Sequence, residues 1–162
     1  MFWDFLQPYV LWWGKAALGL WLGESTERVA WLFIFHLFGI TLLLGTRVLL
    51  SLRLFGIIFR DQPIAELSRE VRPYAAAGLA LALATGFLIF TGGAEGYFPG
   101  NWFRNKMILL FLALLFHFTL FRAVIRANEG RFNPILNKVA GVLSLGLWFG
   151  VGVAGRWIAF FG

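Results

Sequence analysis

The sequence predicts an all-α integral membrane protein, an up-and-down four-helix bundle with an interfacial helix at its N-terminus. Hydrophobic residues make up 60% of the 162 residues and charged residues only 14%, whereas a soluble domain carries about 25% charged residues. Four apolar segments are each long enough to cross a bilayer core of about 30 Å as a helix. The connections between these segments are short, which favours antiparallel sequential neighbours.

Residues 1–23 are apolar and rich in tryptophan. Four residues interrupt the apolar run: Asp4, Gln7, Pro8 and Lys15. The segment lacks the basic leader of a signal peptide. We therefore predict an amphipathic helix on the outer membrane surface, anchored at the headgroups by its tryptophans. A fifth crossing of the bilayer is the alternative.

Residues 24–162 are predicted to form one transmembrane domain. Its four helices are expected at about 29–59, 73–91, 106–125 and 139–161. Ser25 and its acidic neighbours supply a cap for the first helix, which is long enough to tilt or to extend past the membrane. In the fourth helix, Gly146 and Gly150 have the spacing that lets helix backbones approach closely, although simple packing also explains them.

The connections between the helices differ in composition. Residues 60–72 place apolar side chains at helical spacing behind Pro63, which predicts a short surface helix. Residues 92–105 are rich in glycine and aromatic residues and predict an interfacial loop. Residues 128–137 include Gly130 and Pro134 and predict a polar turn.

The basic residues predict the orientation, because cytoplasmic loops retain Lys and Arg. Nine lie near the loops after the first and third helices: Arg47, Arg53, Arg60, Arg69, Arg72, Arg122, Arg126, Arg131 and Lys138. Five lie towards the other side: Lys15, Arg28, Arg104, Lys106 and Arg156. We therefore predict a multi-pass protein of the bacterial inner membrane with these loops in the cytoplasm and both termini outside.

The same distribution indicates which partners to expect. The basic residues flank apolar segments and form no single patch, so they are typical of topology signals and lipid contacts. A nucleic-acid partner is therefore not expected. The expected partners are the lipid bilayer and other membrane or periplasmic subunits.

The chain has only two histidines, and each falls inside a predicted transmembrane helix. His36 lies about eleven residues after Ser25, and His117 about thirteen residues after Arg104. At about 1.5 Å per residue these depths are similar. Because the two helices run in the same direction, the imidazoles are predicted to face each other as the axial ligands of one b-type haem.

Neighbouring residues are compatible with such a haem. Gly39 and Gly45 would leave room for a flat macrocycle. Six phenylalanines would form aromatic walls: Phe33, Phe35, Phe38, Phe116, Phe118 and Phe121. Arg47 lies three turns after His36 on nearly the same face and would reach a haem propionate or a quinone headgroup. Three cations would do the same from the outer end: Arg28, Arg104 and Lys106.

Other interpretations of these residues stay open. A membrane histidine can simply hydrogen-bond to a neighbouring helix, and Arg53 and Arg122 are predicted to extend to the inner headgroups. Two histidines without a third ligand make a weak zinc or copper site. The absence of cysteine excludes disulfides, thiolate sites and covalently attached haem. No hydrolytic, transferase or nucleotide-binding motif is present.

Four runs of the sequence are similar to a bacterial family of small four-helix membrane proteins of unassigned function. They are WLFIFHLFGITLLLGTRVLLSLRLFG (31–56), TGFLIF (85–90), NWFRNKMILL (101–110) and WFGVGVAGRWIAF (148–160). The similarity covers most of residues 24–162. That family resembles in topology the copper-resistance D membrane domain and, more remotely, the four-helix b-type cytochromes that include superoxide oxidase.

Two departures limit what this resemblance implies. The di-haem cytochromes use about four ligands, so the two histidines here imply at most one bis-histidine haem. The family commonly has Asp where this chain has Ser51, so any role of that carboxylate is absent. The resemblance supports the fold more than the function.

The sequence therefore predicts a b-type haem-binding subunit that transfers electrons between quinone and a partner on the outer side. His36 and His117 would bind the iron, and Arg47, or Arg104 with Lys106, would contact the propionates or the quinone. If the chain takes part in catalysis, it does so as an oxidoreductase component. A second interpretation is a cofactor-free accessory subunit that binds a larger membrane complex through the fourth helix. A third is copper or small-solute passage along three threonines: Thr41, Thr46 and Thr85.

Overall fold

Seven helices follow one another in the computed structural model, which describes residues 2–127 and 133–161. They are α1 (Phe2–Gly14), α2 (Ala17–Gly23), α3 (Thr26–Leu54), α4 (Ile64–Gly92), α5 (Ala94–Tyr97), α6 (Asn101–Ala127) and α7 (Pro134–Phe161). A π-helical turn at His117–Phe121 interrupts α6. These two ranges contain no strand, which confirms the all-α prediction.

The four longest helices, α3, α4, α6 and α7, are long and apolar enough to cross a membrane. In their most apolar 18-residue windows only 17% to 28% of residues are buried within the chain. Most of their apolar side chains are therefore left to contact lipid. The predicted membrane bundle of four helices is confirmed, and α1 and α2 are each too short to span a bilayer.

Local backbone chemistry sets three helix ends that differ from the predicted ones. α3 begins at Thr26, three residues before the predicted start, directly after the predicted cap Ser25, whose hydroxyl accepts a hydrogen bond from the Arg28 N–H at 3.4 Å. It ends five residues early, before Gly56, whose φ of 74° is left-handed. α7 begins five residues early, at Pro134, because the side chain of Asn133 accepts hydrogen bonds from the backbone N–H groups of Ile135 and Leu136.

The predicted surface helix over residues 60–72 is continuous with the second transmembrane helix. Both form α4, which passes through Pro73 without ending. Ile64 and Leu67 are buried in a core cluster with the ends of α3, α6 and α7, so packing holds the first turns of α4 in line. This packing outweighs the hydrogen bond that Pro73 cannot make.

The N-terminal segment forms two helices where one was predicted, and both pack at the end of the bundle that carries α5. We call this end the α1 end. The indole N–H of Trp13 donates to the Thr91 hydroxyl at 3.3 Å. Gly19 lies so close to Gly14 that a Cβ would stand 2.1 Å from its carbonyl oxygen. The location of this segment on the membrane surface stays a prediction.

The other two connections also differ in detail from the prediction. The expected loop at residues 92–105 contains α5, and α6 begins within it at Asn101. Of the expected polar turn, residues 128–132, with Gly130 and Arg131, lie outside the described residues.

A close helix crossing joins α3 to α4 through glycines other than the predicted pair. A Cβ on Gly39 would lie 2.9 Å from the Gly78 carbonyl oxygen and 2.7 Å from the Ala82 nitrogen, so the two backbones touch. By contrast, Gly146 has no atom of another helix within 4 Å of its Cβ position, and Gly150 meets only the Leu109 side chain. α7 packs on α6 and α3 and closes the bundle.

Candidate functional site

The ionisable side chains inside the described membrane spans are all basic. The acidic residues of the four spanning helices lie within two turns of a helix start: Glu27, Glu66 and Glu70. Deeper in the spans stand His36, Arg47 and His117. Such residues cost at least about 2.5 kcal/mol each at lipid depth and usually have a function. The bundle interior is therefore suited to groups that accept hydrogen bonds or carry negative charge.

Arg47 lies at the centre of a buried polar group on the inner faces of α3, α6 and α7. Only 2% of its surface is exposed. Its guanidinium contacts both ring nitrogens of His117, with Nη1 to Nδ1 at 2.8 Å and Nη2 to Nε2 at 3.3 Å. Its Cζ lies 5.6 Å from the centroid of the Trp148 ring. Ser51, fully buried, is one turn further along the same face of α3. We call these four residues the Arg47 cluster.

The π-helical turn of α6 begins at His117. One extra residue in a turn shifts the phase of the helix, and such turns are frequent at functional sites. Here His117 and the fully buried Phe121 both pack inward, with ring centroids 5.9 Å apart. The apolar walls of the cluster are formed by Leu43 and Ala113, which pack with Trp148.

The Arg47 cluster has more hydrogen-bond donors than acceptors. A guanidinium only donates, and a neutral imidazole accepts at one nitrogen. The shorter contact assigns the His117 lone pair to Nδ1, so its Nε2–H faces the other guanidinium nitrogen, donor against donor. Three further buried donors have no partner among the described residues: Arg47 Nε, Ser51 Oγ and Trp148 Nε1. Each costs about 1 to 3 kcal/mol while unpaired, so the cluster fits a ligand that accepts hydrogen bonds.

His36 occupies a separate position against α4. Its Nδ1 lies 3.1 Å from the Thr85 hydroxyl, which itself donates to the Leu81 carbonyl at 2.6 Å. The hydroxyl therefore accepts the Nδ1–H of His36, which leaves the lone pair on Nε2. Gly86 provides the space for the ring, because a Cβ there would stand 2.9 Å from its Cε1.

The structure does not bring His36 and His117 together. His117 contacts Arg47, which is eleven residues and about 16 Å further along α3 than His36. The predicted common depth is wrong because α3 and α6 are offset along their axes. A bis-histidine haem does not fit these residues.

The other residues predicted to surround a haem do not enclose a common space. The space beside Gly39 is filled by the α4 backbone, while Gly45 has no other heavy atom within 4 Å of its Cβ position. Four of the predicted aromatic walls are 40% to 70% exposed: Phe33, Phe35, Phe38 and Phe118. Phe116 and Phe121 pack with the core at the end opposite α1.

Arg104 and Lys106 lie apart from the Arg47 cluster, in the first two turns of α6. The Arg104 guanidinium lies 5.7 Å from the centroid of Trp3, and its Nε has no described partner. The Lys106 side chain lies against α7, with Nζ 3.3 Å from the Cβ position of Gly155. Both cations therefore face the α1 end of the bundle.

Two arginines near the opposite end have structural partners. Arg53 donates to the Gln62 carbonyl at 2.9 Å and to the Arg60 carbonyl at 3.3 Å, which holds the α3–α4 loop. The Arg122 guanidinium lies 5.3 Å from the centroid of the Phe118 ring. Arg53 therefore contacts the α3–α4 loop, whereas the sequence predicted that it extends to the inner headgroups.

The three threonines predicted to line a pathway do not face a common space. Thr46 and Thr85 are buried, and each donates to a carbonyl of its own helix. Thr41 is exposed on the surface of α3. Residues 2–127 and 133–160 also contain no group of three or more His, Asp or Glu side chains that could hold a metal ion.

Comparison with known proteins identifies the family. A family model described as a family of unknown function, DUF6644, matches residues 11–161. The match covers nearly the whole sequence, so the chain belongs to this family. No curated protein and no solved structure matches it. Membership agrees with the predicted family of unassigned function, while the likeness to copper-resistance D and to b-type cytochromes stays a prediction.

Proposed function

We propose that this member of the DUF6644 family binds the headgroup of a membrane quinone in the Arg47 cluster and serves as the quinone-contacting subunit of an electron-transfer assembly. The supporting observation is the surplus of buried donors without acceptors. A quinone carries two carbonyl oxygens that accept hydrogen bonds and no group that donates them. It also dissolves in the bilayer and reaches lipid-depth sites by lateral diffusion.

The chemistry of each residue suits that headgroup. The Arg47 guanidinium supplies charged donors, which are about twice as strong as neutral ones and gain strength in a low-dielectric interior. The indole N–H of Trp148 adds a neutral donor from α7. Leu43 and Ala113 pack with Trp148 and make the surroundings of the cluster apolar. The chain would thus hold and orient the quinone while excluding water.

Electron transfer would then require a partner. The described residues do not fit a bis-histidine haem, and the chain has no thiolate for an iron–sulfur cluster. The redox centre that exchanges electrons with the quinone is therefore assigned to a separate membrane or periplasmic subunit. In this proposal the assembly lies in the bacterial inner membrane, with the α1 end of the bundle outside.

Quinone binding is tested directly with the purified full-length protein in lipid nanodiscs. We expect ubiquinone-1 to bind saturably, followed by quenching of tryptophan fluorescence. Arg47→Gln should weaken binding at least tenfold, because losing a charged hydrogen bond costs about 1.5 to 3 kcal/mol. The matched control is Arg156→Gln, which changes an exposed arginine near the end of α7 and should bind like the wild type. Absence of saturable binding, or equal losses in both variants, would overturn the proposal.

One observation favours a second candidate, a cofactor-free accessory subunit. Gly146 leaves an open notch on α7, beside the exposed side chains of Val142, Phe149 and Val153. Small residues of this kind let a neighbouring transmembrane helix approach closely. Purification in mild detergent should then retain a stoichiometric partner that Gly146→Leu releases. Replacing His36 and His117 with Ala should leave the assembly intact, and purification without any partner would count against it.

A further inference from the structure

We infer that the Arg47 cluster distinguishes the oxidation states of its ligand, binding the oxidised quinone and disfavouring the quinol. This inference rests on the proposed function. The cluster can donate several hydrogen bonds to a ligand but can accept very few, and the preference follows from this difference. The class of ligand is therefore a quinone in its acceptor-only form.

The groups of the cluster that still need a hydrogen-bond partner are all able to donate. Arg47 Nε, Trp148 Nε1 and Ser51 Oγ are buried without partners, and the Nε2–H of His117 faces a guanidinium nitrogen at 3.3 Å. Arg47 and Ser51 lie on α3, His117 lies on α6 and Trp148 lies on α7. A carbonyl oxygen has two lone pairs and can satisfy two such donors at once. A quinone therefore relieves the surplus without adding a proton.

A quinol adds two O–H donors to a site that already has too many. Each buried O–H needs an acceptor, and leaving one unpaired costs about the desolvation penalty of the group. Within the cluster, the guanidinium and the indole accept nothing, and the His117 Nδ1 lone pair is taken by Arg47 at 2.8 Å. The Ser51 hydroxyl is the one uncommitted acceptor of the four residues. One acceptor cannot serve two hydroxyl groups of the same ring.

This preference has a consequence for the redox potential of the bound quinone. Because the oxidised form is held more tightly, binding lowers the midpoint potential of the quinone below that of the free couple. Reduction of the ring takes two electrons from the partner subunit and two protons from the aqueous phase, and it converts both acceptor-only oxygens into donors. The product is then the form that the cluster holds less well.

The test compares the two forms of one probe on the same protein. Ubiquinone-1 and its quinol, kept reduced under anaerobic conditions, are titrated against the full chain in nanodiscs. We expect the oxidised form to bind about tenfold more tightly, the factor that corresponds to one unsatisfied buried group. Equal affinities, or tighter binding of the quinol, would overturn the inference while the proposed function stood. Failure of both forms to bind would overturn the two together.

Variants of Arg47 make the test specific. Arg47→Lys keeps a charge and only donors, so the preference for the oxidised form should persist even if both affinities fall. Arg47→Gln introduces an acceptor oxygen, so the ratio of the two dissociation constants should fall towards one. Arg156→Gln should leave both constants unchanged. If Arg47→Gln preserves the wild-type ratio, the donor surplus does not set the selectivity and the inference fails.

Discussion

At the scale of single residues, Arg47 is the least expected feature of a stable membrane bundle. It is 2% exposed in a spanning helix, and its one hydrogen-bonding partner among the described residues is an imidazole. Breaking or omitting the partner of a buried charge is strongly destabilising, whereas an apolar residue of similar volume is often neutral or better. A residue that lowers the stability of the free protein is typical of a binding site.

Arg47→Met should therefore raise the unfolding free energy of the ligand-free protein by about 1 to 3 kcal/mol. It should also abolish the stabilisation that ubiquinone-1 gives, because ligand binding to the folded state raises stability only while the site is intact. Thermal unfolding in detergent, with and without the quinone, measures both effects. Arg156→Met, at an exposed position, is the control. A less stable ligand-free Arg47→Met protein would identify Arg47 as a structural residue.

The two histidines should occupy opposite tautomers when neutral. His36 donates from Nδ1 to Thr85, whereas His117 accepts at Nδ1 from Arg47. Nitrogen-15 NMR of histidine-labelled protein distinguishes these forms, and two histidines give a spectrum that His36→Ala assigns. Gly86→Ala should disturb the His36 signals alone, because its Cβ would stand 2.9 Å from that ring. Identical tautomers would contradict the assignment of donors in the Arg47 cluster.

At the scale of elements, apolar length was enough to predict that the four spanning helices exist. Their ends depend on single residues, such as the left-handed Gly56 or the capping side chain of Asn133, which periodicity does not show. The continuation of α4 through Pro73 depends on burial of Ile64, a tertiary effect. Local sequence therefore determines which segments are helices, while packing determines how far each one extends.

The candidate site was predicted in part for the same reason. Arg47 and His117 stand out in the sequence as ionisable groups at lipid depth, and Ser51 follows Arg47 by one helical turn. Their contact, and the part taken by Trp148, depend on the axial offset of α3 and α6 and on the π-helical turn. The same offset separates His36 from His117. No spacing along one helix contains that information.

Gly39→Ala or Gly78→Ala should lower the unfolding free energy by about 1 to 3 kcal/mol, the usual cost of overpacking. The added Cβ would meet backbone atoms of the other helix at 2.7 to 2.9 Å, and backbone cannot move aside as a side chain can. Gly146→Ala is the control, since no atom of another helix lies within 4 Å of its Cβ position. It should be neutral or stabilising by up to about 1 kcal/mol through helix propensity. Thermal unfolding in detergent compares the three variants, and a tolerant α3–α4 crossing would refute the close contact.

At the scale of the whole molecule, the bundle has two different ends and an interior lined by cations. The α1 end carries the tryptophan-rich helices, where Lys15 and Glu95 approach to 3.4 Å. The opposite end carries the α3–α4 loop, held by Arg53. The two polar positions, at His36 and at Arg47, are about 16 Å apart along α3. Arg47 lies seven residues before the end of α3, so a redox partner would have to reach a bound quinone from the end that carries the α3–α4 loop or from the side of the bundle.

The orientation of the bundle in the membrane can be tested directly. Positive residues are retained in the cytoplasm, so the α3–α4 loop should be inside and the α1 end outside. The chain has no cysteine, so a single introduced cysteine reports its own side without background. Gly96→Cys, at an exposed position beside α1, should react with a membrane-impermeant maleimide in intact spheroplasts. Asp61→Cys, exposed in the α3–α4 loop, should react only after the membrane is opened.

A third position separates an interfacial segment from a fifth crossing. Asp4→Cys lies near the start of α1 and is exposed. If residues 1–23 lie on the outer surface, it should react from the same side as Gly96→Cys, because neither α1 nor α2 is long enough to span the bilayer. Labelling of Asp4→Cys only from the cytoplasm would require that segment to cross. Reversal of all three results would invert the bundle and place the Arg47 cluster near the outer face, where a periplasmic partner would reach it directly.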